Sequence, residues 1–231
     1  DRLGDHPGIL RLYEINLETA PYYLVTDYLP QRDLRTWTEG QGGIARVPWA
    51  LRMEIAAQLA EALQASHECG IVQRDVKPGN VLIHAEGDRR VRARLADFGI
   101  GRVVSEECLA DRTGLGFTET IGADERSREP GTLMYMAPEL LAGGAATPQS
   151  DIYSLGIVIF QLAIEDFQLP LTVDWEEAVG DARLIALLRP CFAGDPLRRH
   201  GDAGSLAPRL REVAGLPPAG RPGAAHVRSV H

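Results

Sequence analysis

The chain has 231 residues, 45% hydrophobic and 24% charged, with a formal net charge of −8. Those shares are ordinary for a globular chain of one or two domains. The acidic balance argues against a general binder of nucleic acid or of anionic membrane. Cys69, Cys108 and Cys191 are too few and too scattered for a disulfide framework or a zinc site, so a reducing, cytoplasmic location is the simplest expectation. The longest apolar run, residues 155–163, contains Gly156 and Gln161 and falls well short of a membrane span. There is no recognisable signal peptide, and a start at Asp1 rather than Met reads as a fragment of a longer polypeptide.

In chain order, residues 5–14 predict a turn followed by an alternating strand. His6, a lone His beside Pro7, reads as a packing or capping residue rather than a ligand. Residues 22–29, rich in aromatic and branched side chains, predict a second strand that pairs with the first as a hairpin. After a Gly-containing connection at 41–47, Pro48 opens a helix, where its missing N–H costs nothing. Leu51, Ile55, Leu59 and Leu63 recur every four residues, one apolar stripe of a long amphipathic helix. Gly70 is suited to end it. Residues 81–83 and 92–95 predict a second small hairpin. Residues 97–139 show little periodicity, and long connections of that kind are functional or mobile as a rule. Residues 147–151, Thr-Pro-Gln-Ser-Asp, start a helix. The following residues 152–163 are apolar on nearly all sides, which predicts a buried helix. After Leu216 the run Pro-Pro-Ala-Gly-Arg-Pro-Gly reads as a disordered tail or linker.

Three motifs punctuate this framework. The first is Gln73-Arg74-Asp75-Val76-Lys77-Pro78-Gly79-Asn80, with Ile71 and Val72 before it and Val81, Leu82 and Ile83 after. Pro78 and Gly79 break regular structure, so the stretch reads as a rigid polar loop between two short strands. An acceptor (Asp75), a compact cation (Lys77) and an amide oxygen (Asn80) could converge on one point there. That set suits phosphoryl transfer, in which the nucleophile is oriented, charge on the moving group is stabilised and Mg²⁺ is held by hard oxygens. The second motif is Asp97-Phe98-Gly99 and the third Ala137-Pro138-Glu139. In this order they resemble the H-R-D-L-x-x-x-N, D-F-G and A-P-E motifs of the protein kinase family. Gln73 replaces the His and Val76 the Leu. The resemblance runs from His6 to about Arg199.

The resemblance implies an α+β, protein-kinase-like fold. Residues 1–29 would be a remnant of the small-lobe antiparallel sheet with the hinge, residues 30–213 a mainly α-helical large lobe, and residues 214–231 a tail. It implies a Ser/Thr protein kinase catalytic domain that transfers the γ-phosphate of ATP to protein hydroxyls, with ATP and Mg²⁺ as cofactors and proteins as substrates. Asp75 would be the catalytic acceptor, assisted by Lys77 and by Thr132 of the Gly131-Thr132 pair. Lys77 and Thr132 point to Ser/Thr rather than Tyr substrates. Asn80 and Asp97 would hold the metal. Thr26 takes the gatekeeper place, the backbone of Asp27 to Leu29 would face the adenine edge, and Asp33 would lie near the ribose. Leu82 would form the floor under adenine, and is equally a core leucine. Arg74 would pair with a phosphorylated loop residue, Ser127 ahead of Thr118 and Thr120. Asp151 would accept hydrogen bonds from the catalytic-loop backbone; a plain helix-N-terminal carboxylate is the other reading. Asp195-Pro196-Leu197-Arg198-Arg199 resembles D-P-x-x-R, whose Arg, here Arg199, would pair with Glu139.

The family's Gly-rich loop, strand-3 Lys and helix-C Glu have no match here, which puts the activity of the fragment alone in question. Gly114-Leu115-Gly116-Phe117 is no substitute, because the third Gly of a G-x-G-x-x-G pattern would be Glu119. Two alternatives stay open: a non-catalytic pseudokinase acting as a scaffold, and a small-molecule kinase of related fold. The presence of Asp75, Lys77, Asn80 and Asp97 counts against the first. The A-P-E, Gly-Thr and Arg199 features count against the second.

Overall fold

The computed structural model describes residues 6–16, 23–29, 32–85, 91–96 and 133–216. Asp97, Ser127 and Thr132, with the rest of the 97–132 connection, lie outside the described residues.

Strands β1 (Leu12–Asn16) and β2 (Tyr23–Thr26) form an antiparallel pair in the register Leu12↔Thr26 to Asn16↔Tyr23. The first strand begins later than the alternation predicts because residues 8–10 bond elsewhere. Leu10 N–H donates to Leu95 O (2.9 Å) and Leu95 N–H to Gly8 O (2.8 Å). These bonds dock the turn on a second antiparallel pair, β3 (Val81–Ala85) and β4 (Val91–Leu95). His6 Nδ1 accepts the Gly8 N–H at 3.2 Å, the capping role read from its place beside Pro7.

Between the sheets, Asp33 starts helix α1 (Leu34–Gly40), and Pro48 precedes α2 (Trp49–Glu68). Of the α2 stripe, Ile55, Leu59 and Leu63 are fully buried; each such side chain contributes roughly 1.5–3 kcal/mol. Gly70 follows the Cys69 C-cap at φ +76°, a left-handed conformation that glycine adopts without a Cβ penalty. Ser66 Oγ donates to Ile71 O (2.7 Å) and closes the turn into the polar loop.

Past the 97–132 connection, α3 (Pro138–Leu141) leads to α4 (Pro148–Ile164). Thr147 and Ser150 make reciprocal side chain–backbone bonds at its start, a capping box with Pro148 inside the first turn. Residues 155–162 are buried without a break, and α4 packs against α2 through this buried stretch. At Gly156 an added Cβ would lie 2.7 Å from Cys191 Cβ, so only glycine permits this approach of α6 (Ala182–Cys191). Short helix α5 (Trp175–Val179) sets Trp175 edge-on against Phe192 at 5.1 Å. Helix α7 (Leu206–Val213) packs on α2, where Arg211 binds both Glu54 (2.8 Å) and Glu61 (2.6 Å). Arg52 of α2 donates to Leu162 O (2.6 Å) and pairs with Glu165 (2.7 Å), satisfying the C-terminal end of α4.

Candidate active site

The loop 73–80 runs between the end of α2 and β3, and its backbone is held from below by α4. Asp151, in the first turn of α4, is 1% exposed. Its Oδ1 accepts the Arg74 N–H (2.8 Å), and its Oδ2 accepts the Gln73 N–H (2.8 Å). Arg74 sits at φ +68°, a conformation costing a non-glycine residue about 1–3 kcal/mol. Charge-assisted bonds to a buried carboxylate, itself favoured at a helix N-terminus, are what offset that strain. Asp151 therefore bonds the backbone of the polar loop from its place in the first turn of α4.

A third ligand of Asp151 escaped the sequence reading. His67 Nε2 lies 2.8 Å from Asp151 Oδ2. Its signal was present: residue 67 continues the four-residue stripe of Leu51, Ile55, Leu59 and Leu63. A polar side chain on a buried stripe requires a buried partner.

Within the loop the functional side chains converge. Lys77 Nζ lies 2.8 Å from Asp75 Oδ2. Asn80 Nδ2 donates to the same oxygen (2.9 Å) and to Asp75 O (2.8 Å). This fixes the Asn80 amide with its Oδ1 turned away from Asp75, the hard oxygen a divalent cation needs. A short 3₁₀ turn, Pro78–Asn80, sets the spacing. Asp75 is more exposed than Asn80, so an acceptor stands at the surface over a buried amide.

The loop also grips the residue that precedes Asp97. Ala96 N–H donates to Asn80 O (2.9 Å), and Ala96 O accepts from Gln73 Nε2 (2.6 Å). Gln73, buried at 0% exposure, thus ties the loop to the strand that leads into Asp97. An amide in place of the family's His retains the donor that this contact uses.

The residues that the resemblance assigns to the nucleotide lie at the end of β2, at the start of α1 and in β3. Asp27 N–H donates to Arg11 O (3.0 Å), and Asp27 O accepts from Thr26 Oγ1 (3.3 Å), so the Asp27 N–H is already spent. Leu29 has no hydrogen bond among the described residues. Asp33 caps α1, with Oδ1 accepting Thr36 N–H (3.0 Å) and Oδ2 the Thr36 hydroxyl (2.7 Å). Its carboxylate meets a ribose only while sharing these bonds. Leu82 is half-buried and bridges Asp33.

Arg199 and Glu139 form a two-pronged pair, both contacts 2.7 Å, with Arg199 also donating to Ala193 O and Gln149 O (2.9 Å each). Its side chain is wholly buried and lies over the Tyr153 ring at 5.1 Å. Burial pushes the Glu139 carboxyl up, but hydrogen bonds from Arg199 and its own backbone, with the guanidinium charge, hold it below its usual 4.5. Ser154 Oγ donates to Tyr135 O (2.7 Å), and the Tyr135 hydroxyl donates to Gln161 (2.8 Å). Together these contacts anchor residues 133–141 on α4.

Comparison with known proteins bears on family and fold. Residues 1–189 match the protein kinase domain family. The chain is 30% identical over 226 residues to the serine/threonine-protein kinase PknK of Mycobacterium bovis, covering 97% of this chain and 18% of that protein. It is 33% identical over 158 residues to the serine/threonine-protein kinase PrkC of Bacillus subtilis, covering 68% of this chain and 21% of that one. The chain thus spans about a fifth of the length of these relatives. The crystal structure of the Mycobacterium tuberculosis PknI kinase domain superposes with a TM-score of 0.65 at 24% identity, over 90% of this chain and 73% of that one; at that identity the match bears on the fold alone. The fold, a helical body with small antiparallel sheets, is protein-kinase-like, and the chain belongs to the protein kinase domain family.

Proposed function

We propose that this chain carries the catalytic lobe of a Ser/Thr protein kinase, which moves the γ-phosphate of ATP to a Ser or Thr hydroxyl of a protein substrate with Mg²⁺ as cofactor. The observation that carries the reading is the convergence of Asp75, Lys77 and Asn80 on one polar loop, fixed to the residue before Asp97 by two hydrogen bonds. Asp75 accepts or orients the substrate hydroxyl. Lys77 and Thr132 stabilise and place the reacting groups. Asn80 Oδ1 and the Asp97 carboxylate are the hard oxygens that fit Mg²⁺, which supplies charge neutralisation to the phosphates when bound. Thr26, the backbone of Leu29, Asp33 and Leu82 receive the nucleoside, with Asp27 contributing at most its carbonyl, since its N–H is bonded to Arg11 O. Arg74 awaits a phosphate on the 97–132 connection, at Ser127 or a neighbour. No described helix is long and apolar enough to cross a membrane, and a cytoplasmic location belongs to the same reading.

The test is ATP binding by the full-length parent protein with and without Mg²⁺. Wild type should bind more tightly with Mg²⁺, and Asp97→Asn should lose most of that gain. ATP affinity that ignores Mg²⁺ in the wild type would remove the metal from the proposal and the kinase reading with it.

A further inference from the structure

Arg35 stands on α1, which packs against the Pro78–Asn80 turn of the polar loop. Its Nη2 donates to Phe167 O, in the loop after α4, at 3.5 Å. That bond is at the long limit for N–H···O, and its acceptor is neutral. The Tyr135 hydroxyl lies 3.5 Å from the same carbonyl. Burial pushes that hydroxyl up from its usual 10.0, and the Arg35 charge offsets this only in part, so Tyr135 is neutral at pH 7.

Gln161 closes the corner from α4. It is wholly buried. Its Oε1 accepts the Tyr135 hydroxyl (2.8 Å), and its Nε2 donates to Leu169 O (3.1 Å). The residue there is an amide and not a carboxylate. Asp166, beside Phe167, gives one oxygen to the Gln168 N–H (2.7 Å). Neither Asp166 nor Glu39, one turn along α1, pairs with Arg35 among the described residues. Arg35 is thus half-buried among neutral groups. Its guanidinium carries more N–H donors than this corner has acceptors for.

The place of this cation gives it a use. Asn80, in the turn that α1 packs against, bonds Asp75 at 2.9 Å. Residues 133–135 follow Thr132 directly. On the phosphoryl-transfer reading both elements border the accepting hydroxyl, so residues flanking that hydroxyl come within reach of Arg35. A carboxylate matches the planar fork of a guanidinium and accepts two N–H bonds at once. Charge complementarity of this kind selects partners more than it tightens them.

We propose that Arg35 is a specificity-determining residue, which selects protein substrates with an acidic side chain close in sequence to the accepting hydroxyl. The proposal rests on the phosphoryl-transfer reading and deepens it by naming the substrate class.

The test is γ-phosphate transfer from ATP by the full-length parent to Ala-based peptides with a single Ser. One Glu is placed at each flanking position in turn, and Gln and Lys counterparts are made. At one position or two adjacent ones, wild type should show kcat/KM about 5-fold higher for Glu than for Gln, the upper worth of a partly exposed charge pair, with Lys below Gln. Arg35→Gln should bring the Glu-to-Gln ratio there to about one, since it removes the charge. Arg35→Lys keeps the charge and loses the fork, and should give an intermediate ratio. A merely structural Arg35 would lower transfer to all peptides alike and leave the ratio untouched, which overturns the proposal. Equal transfer by wild type to Glu and Gln peptides at every position also overturns it while the kinase reading stands, and that arm needs no variant to fold. No transfer to any peptide or to a generic protein overturns the kinase reading, and this one with it.

Discussion

Replacing Asp151 with Asn tests whether α4 holds the polar loop in place. The carboxylate accepts three bonds, from Gln73 N–H, Arg74 N–H and His67 Nε2, each 2.8 Å long. An Asn oxygen placed at the Oδ2 position keeps two of them in weakened form. Its NH₂ then faces the Arg74 N–H, donor against donor. A bond to a charged group is worth about 1.5–3 kcal/mol, and an orphaned buried donor costs about 1–3 kcal/mol more. Relaxation of the strained Arg74 backbone returns about 1–3 kcal/mol. The net loss should be about 2–4 kcal/mol. Urea unfolding followed by circular dichroism measures it as a lower midpoint at unchanged slope. Asp174→Asn is the control: Asp174 is exposed and its side chain caps nothing, so the change should stay within about 0.5 kcal/mol. An Asp151→Asn protein as stable as the control would show that the carboxylate does not secure the loop.

Two further predictions use the same material. A carboxyl whose native pKa is depressed stabilises the fold above its unfolded pKa, and that share is lost as pH falls through the native value. The stability gap between wild type and Glu139→Gln should therefore be constant above pH 4.5, the ordinary value, and should narrow below it; urea midpoints measured down to pH 3 check this, and a gap that widens in acid would contradict the pairing with Arg199. Cys191 is fully buried, and burial pushes its thiol up to about 12, while Cys69 is exposed. Iodoacetamide at pH 8 with mass-spectrometric readout should label Cys69 in the native chain and reach Cys191 only after unfolding.

The parts legible in the sequence were those with a strong local signal. The buried helix 148–164 follows from Thr147, Pro148 and a run that is apolar on nearly all sides, and the polar loop from Pro78, Gly79 and its flanking branched residues. The Arg199–Glu139 contact was readable only through the family resemblance, since 60 positions separate the two. Nothing local predicts the positive φ at Arg74, because it is imposed by Asp151 across the fold. Asp33 has a second role that the resemblance did not bring out: three residues on, Thr36 supplies the backbone and hydroxyl donors that make Asp33 a helix cap. The resemblance gives the Gln73 position a supporting role for the loop, but its partner, Ala96 O, had no local mark, since a glutamine in a loop does not show what it will bond.

The central claim is that Asp75 serves phosphoryl transfer. The direct measurement is the rate of γ-phosphate transfer from ATP to a generic protein substrate by the full-length parent, wild type against Asp75→Asn. Asn is nearly the same size and still offers an oxygen to Lys77 and Asn80, so folding and ATP affinity should hardly change. Transfer should fall by ~10²–10⁴-fold, the usual worth of a positioned acid–base group. An Asp75→Asn enzyme that transfers phosphate at the wild-type rate would contradict the assignment and leave the chain as a non-catalytic scaffold.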